Sequence, residues 1–88
     1  MEEKQEWLKD YKDCNDYLKN IDSYDYESLS EWTLEKYNNW IAKDKKYILS
    51  IKYGDIPPKD NREKAINSLT NFKVTLEKIA IINGFKYL

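Results

Sequence analysis

Along residues 2–21 the apolar positions fall at Trp7, Tyr11, Cys14, Leu18 and Ile21. Their 4-3-4-3 spacing draws one stripe down an α-helix, which Leu8 and Tyr17 widen. Asp22-Ser23-Tyr24-Asp25-Tyr26-Glu27 then breaks the period with turn-forming residues. Ser28 and Glu31 have the spacing of a capping box, which predicts a second helix over residues 29–53. Leu34, Tyr37, Trp40, Ile41, Tyr47, Ile48 and Ile51 would form its broad apolar face, with Trp32 on the outer side. Gly54 and Pro57-Pro58 forbid further continuation. Asp60 and Glu63 repeat the cap for a third helix over 61–83, whose seam is Ala65, Leu69, Phe72, Leu76 and Ile79, ended by Gly84.

Period-two alternation never persists long enough for a strand. The expectation is therefore an all-α single domain, residues 1–88, folded as an antiparallel three-helix bundle with helices at about 2–21, 29–53 and 61–83. The apolar tail Phe85-Lys86-Tyr87-Leu88 should fold back onto the end of the bundle. At 88 residues such a domain buries only about 60% of the surface its unfolded chain exposes, so contact with partners weighs heavily in its energetics.

Composition removes most chemistry. With no histidine, the commonest general base and metal ligand are missing. The single cysteine, Cys14, lies on the predicted core seam, and two glycines cannot build a phosphate-cradling loop. Asp44 falls on the apolar face of the second helix, where an acid either meets a tyrosine hydroxyl, acquires a raised pKa or marks a break in the seam. No catalytic residue, cofactor or metal site is expected. The N-terminal segment is acidic where a signal peptide is basic, and the longest apolar run, Ile79-Ala80-Ile81-Ile82, is far too short to span a bilayer. Frequent Lys, Ile, Asn and Tyr, all with AT-rich codons, suggest a low-GC genome. The expected compartment is the cytoplasm of a bacterium or of an infected host cell.

Charge changes the picture more. The total is −1, but residues 1–31 hold ten acids and four lysines while residues 32–88 hold six acids and eleven bases. On the first helix Glu3, Glu6, Asp10 and Asp13 recur at 3-4-3 spacing, continued by Tyr17, and lead into the loop with Tyr24 and Tyr26. Lys4, Lys9 and Lys12 lie close enough to neutralise that row as an ordinary solvated face. Read instead as a docking surface, Glu3, Glu6, Asp10, Asp13, Tyr17, Tyr24, Tyr26 and Trp32 would engage a protein with a basic surface. By size and class the protein would then be a stoichiometric inhibitor of the immunity-protein, antitoxin or phage anti-defence kind. One alternative is a homo-oligomer sequestering a small anionic ligand such as a nucleotide with Lys43, Lys46, Arg62 and Lys64. Another is a nucleic-acid-binding regulator using the lysine-rich face of the second helix (Lys36, Lys43, Lys46, with Tyr53), which a single arginine serves poorly.

Overall fold

In the computed structural model, which describes residues 2–48 and 57–85, helix α1 (Glu2–Lys19) buries Trp7 and Cys14 completely. It stops at Lys19 because Asn20 leaves helical geometry, and both its backbone N–H and its side-chain amide donate to the Asp16 carbonyl (3.0 and 3.1 Å). A 3-10 turn, Ile21–Ser23, then carries Ile21 into the core.

Helix α2 (Tyr26–Lys43) departs from expectation at both ends. Its N-cap is Asp25, whose Oδ2 accepts from the Ser28 N–H (2.9 Å) and the Ser28 hydroxyl (2.8 Å), so the helix starts ahead of the Ser28-Glu31 box. It ends at Lys43, well short of residue 53, because Asp44 turns extended (φ −160°, ψ 126°) and its carboxylate accepts from the Lys46 N–H (3.0 Å). A second 3-10 turn, Lys45–Tyr47, follows and buries Tyr47. The apolar face is redrawn accordingly. Residues past Asp44 no longer share its period, and what remains is Leu29, Thr33 and Trp40 buried, with Trp32 and Tyr37 half-buried beside them. Leu34, expected inside, is 61% exposed; Trp32, expected outside, packs inward. Thr33 tolerates burial because its hydroxyl donates to the Leu29 carbonyl (2.7 Å). Ile51, Tyr53 and Gly54 lie outside the described residues, as do Lys86, Tyr87 and Leu88.

Helix α3 (Asn61–Asn83) occupies the predicted span. Asp60 Oδ1 accepts from the Glu63 N–H (2.9 Å), and the seam Ala65, Leu69, Phe72, Leu76 and Ile79 is buried throughout. Gly84 takes the left-handed conformation (φ 71°) that lets the Phe85 N–H reach back to the Ala80 carbonyl (2.9 Å). That turn lays the Phe85 ring against Trp7, with centroids 5.9 Å apart. The first residue of the tail thus folds back as expected.

The all-α three-helix bundle is the architecture found, each helix packing on the other two. Helix α1 runs antiparallel to both neighbours. Trp7 Nε1 donates to the Leu76 carbonyl (2.7 Å), Cys14 Sγ to the Leu69 carbonyl (3.2 Å), and Trp40 Nε1 to Asp10 (2.9 Å). Helices α2 and α3 instead run parallel. Asp22, just before α2, binds Arg62 at the start of α3 (2.7 Å), whereas Ile48 and Tyr47, just after α2, accept from Lys78 and Asn83 near the end of α3 (2.9 and 2.8 Å). Short links would have forced a hairpin between them. The early stop at Lys43 leaves a connection from Asp44 to Asp60 whose contour, at about 3.3 Å per residue, exceeds the length of α2.

Candidate functional site

The acidic row of α1 does not stay together as a surface. Asp10 is only 2% exposed, with Oδ2 accepting from the buried Trp40 indole. Removal from water pushes its carboxyl up; the Trp40 hydrogen bond and Lys36 pull the other way, while Glu6 and Asp13 add to the rise. Asp10 is therefore a core residue, contrary to its assignment as a partner contact. The sequence pattern misplaced it because a residue three after Trp7 on α1 faces whichever helix packs there, and Trp40 supplies a donor. Glu3 and Glu6 sit at the far end of the row. Glu3 is exposed, and Glu6 is paired with Lys43 (2.9 Å), whose ammonium is held above its ordinary value chiefly by that bond and also lies over the Trp40 ring.

The lower half of the row leads to a different arrangement. Tyr17 meets Tyr24 edge-on (4.9 Å, 81°) and Trp32 edge-on (5.0 Å, 83°), and Trp32 meets Phe72 the same way (5.7 Å, 80°). These four rings form a continuous chain from solvent to core. Each edge-to-face contact is worth about 0.5–1.5 kcal/mol beyond burial, so Tyr24, although 43% exposed, is held in place. Desolvation first, then the charges of Asp13, Tyr24 and Asp16, raise the Tyr17 pKa; along α1 Asp13 lies one turn before Tyr17 and Asp16 immediately before it. Among the described residues neither Asp13 nor Asp16 is ion-paired. Tyr26 is not a loop residue. It opens α2, and its hydroxyl donates to Asp22 Oδ1 (2.6 Å), which also takes the Arg62 guanidinium. Those bonds hold the Asp22 carboxyl below its ordinary value, Arg62 contributing most, while the bond to Asp22 raises Tyr26 and Arg62 works against that rise.

Of the expected docking residues, then, Asp13, Tyr17, Tyr24 and Trp32 come together, Tyr26 lies alongside through Asp22, and Glu3, Glu6 and Asp10 do not join them. Asp16 and Phe72 adjoin the cluster although neither was expected at a docking surface. Asp16 lies three residues past Asp13 and so continues the row, whereas Phe72 carries only the signature of a core position.

The basic residues are distributed. Lys43 and Lys46 stand where α2 ends, bound to Glu6 and Asp44; Arg62 and Lys64 stand where α3 begins, Arg62 bound to Asp22 and Lys64 lining a shallow depression with Glu27 and Glu31. Within one copy these four do not converge on a common anion. Asp44 resolves as the break in the seam. Its carboxyl is held low by the Lys46 backbone N–H first and the Lys46 side chain second. Cys14 is a fully buried thiol donating to a main-chain carbonyl, and desolvation pushes its pKa up to about 12. No cluster of three or more potential metal ligands occurs among the described residues.

Elsewhere, the parallel pair α2 and α3 encloses a groove of about 370 Å³ between Thr33 and Tyr37 on one side and Asn71 and Phe72 on the other. No protein-family model, curated protein or solved structure matches this chain.

Proposed function

We propose that this protein is a non-enzymatic protein-binding module that docks onto a basic surface through the end of the bundle where Tyr17, Tyr24 and Trp32 meet Asp13 and Asp16. The observation that supports this reading is the ring chain itself. Tyr24 is exposed yet braced through Tyr17 and Trp32 to buried Phe72, so little side-chain freedom is lost when a partner covers it. Unpaired carboxylates beside a fixed aromatic anchor suit a cationic partner, steering the encounter while the rings supply the contact. A stoichiometric inhibitor of the immunity, antitoxin or phage anti-defence kind is the finer form of the same reading. No helix among the described residues is long and apolar enough to cross a membrane.

The test begins with capture from a lysate on wild-type and variant baits, followed by binding kinetics at low and high salt with the protein retained. Asp13→Lys combined with Asp16→Lys should slow association by roughly tenfold at low salt and flatten its salt dependence. Tyr24→Ala should instead raise the dissociation rate by roughly tenfold. Unchanged association rate and salt slope in the double variant would show that these carboxylates are an ordinary solvated surface.

A further inference from the structure

Among the asparagines of this chain only Asn83 precedes a glycine, and the pair closes α3. Because Gly84 has no Cβ, nothing hinders its main-chain nitrogen from approaching the Asn83 side-chain carbon, the first step of asparagine deamidation. Asn83 is also exposed, so water reaches it. The closed helix end opposes that attack. The Gly84 N–H donates to the Ala80 carbonyl, as does the Phe85 N–H (2.9 Å), which ties up the nucleophile. The leaving group is tied up as well: Asn83 Nδ2 donates to the Tyr47 hydroxyl (2.8 Å) and the Ile79 carbonyl (2.9 Å). In a helix, moreover, a side chain points back along the axis, away from the nitrogen of the next residue. Attack therefore waits on unwinding of the last turn, the part of a helix that opens most readily. That same turn, through the left-handed Gly84 (φ 71°), lays Phe85 on the completely buried Trp7.

We propose that Asn83-Gly84 is a site of spontaneous modification: when the last turn of α3 opens, Asn83 converts to isoaspartate, and the turn that holds Phe85 against Trp7 no longer closes. The Gly84 nitrogen bonds to Asn83 Cγ and gives up its proton, while the Cγ–Nδ2 bond breaks and ammonia leaves. Water then adds to the main-chain carbonyl carbon of residue 83 in the resulting cyclic imide, breaking its bond to the Gly84 nitrogen. The chain now runs through Cβ and Cγ and is one atom longer. The freed carboxylate stands at the end of α3, where the last carbonyls already carry partial negative charge. Both changes work against the Gly84 turn, whose hydrogen bonds depend on regular main-chain spacing. Opening of the imide at Cγ instead leaves aspartate on an unaltered main chain.

The test holds the full chain at mildly alkaline pH and body temperature, either folded or unfolded in guanidinium. Mass spectrometry follows a gain of about 1 Da and, after digestion, places it in the sequence. The folded protein should convert at Asn83, but roughly tenfold more slowly than the unfolded chain, because the turn must first open. Methylation by an isoaspartyl methyltransferase tells isoaspartate from aspartate, and ion exchange separates the product. In that product the Phe85 amide should exchange with deuterium roughly tenfold faster than in fresh protein, with the Leu69 amide unchanged. Asn83→Asp adds the charge but keeps the main chain, so its loss of protection at Phe85 should be smaller. No conversion at Asn83 in the folded protein would overturn the proposal, as would equal rates in the folded and unfolded chains. So would undiminished protection of Phe85 in the isoaspartate form, or a loss just as large in Asn83→Asp.

Discussion

Asp10 offers a sharp test of how this fold is held together, because two substitutions at one site should move stability in opposite directions. Its carboxyl is buried between α1 and α2, and accepts a hydrogen bond from Trp40, itself completely buried. Burial outweighs that bond and the attraction of Lys36, with Glu6 and Asp13 adding repulsion, so the folded-state pKa stands above the ordinary 3.8. The fold therefore gains from the proton. That gain is fully present below pH 3.8 and is lost as the pH rises through the folded-state value. Asp10→Asn keeps an oxygen for the indole and carries no charge to desolvate. It should stabilise the protein at neutral pH by about 1 kcal/mol, the usual size of a single favourable change. Asp10→Ala also removes the charge but leaves the Trp40 N–H buried without an acceptor, a cost of about 1–3 kcal/mol. Thermal unfolding followed by far-UV circular dichroism resolves both, since 1 kcal/mol moves the midpoint of a domain this size by about 4–8 °C. The expected order at neutral pH is Asn above wild type above Ala. On acidification the Asn advantage should shrink and be gone below pH 3.8, where wild-type Asp10 is itself neutral. An Asn variant no more stable than wild type at neutral pH, or an advantage that persists into acid, would refute the desolvation account.

Two further outcomes test the core. Leu69→Ala and Leu76→Ala should each cost about 2–5 kcal/mol by denaturant titration, since both side chains are completely buried on the α3 seam; a loss below 1 kcal/mol would place that seam on the wrong face. Cys14 should resist thiol reagents even at pH 9, the ordinary thiol value, and label only at the rate of unfolding, as read by mass spectrometry with increasing denaturant; prompt labelling of the native protein would contradict its burial.

Features that depend on neighbours within a turn or two were legible in the chain itself. The 4-3-4-3 seam of α3, its Asp60 cap and its Gly84 stop each involve residues a few positions apart, and all three stand where the pattern put them. The same local logic located α1, apart from its last turn, where the Asn20 amide competes for the Asp16 carbonyl. Local rules also overran in α2. Ile48 and Ile51 fit a helical period as well as Tyr37 and Trp40 do, and only the Asp44 bond to Lys46 decides that the helix stops. The buried face includes Trp32 and leaves Leu34 out, and the early end lengthens the link so that α2 and α3 can lie parallel. The placement of Asp10 and Tyr24 came from contacts between helices. Asp10 became core because Trp40, thirty residues away, brings a donor to it, and Tyr24 is held in place although exposed because Tyr17 and Trp32 brace it against Phe72. Periodicity ranks residues by face but does not say which neighbour a face will meet, and for a polar residue that neighbour's hydrogen-bonding group is what separates core from surface.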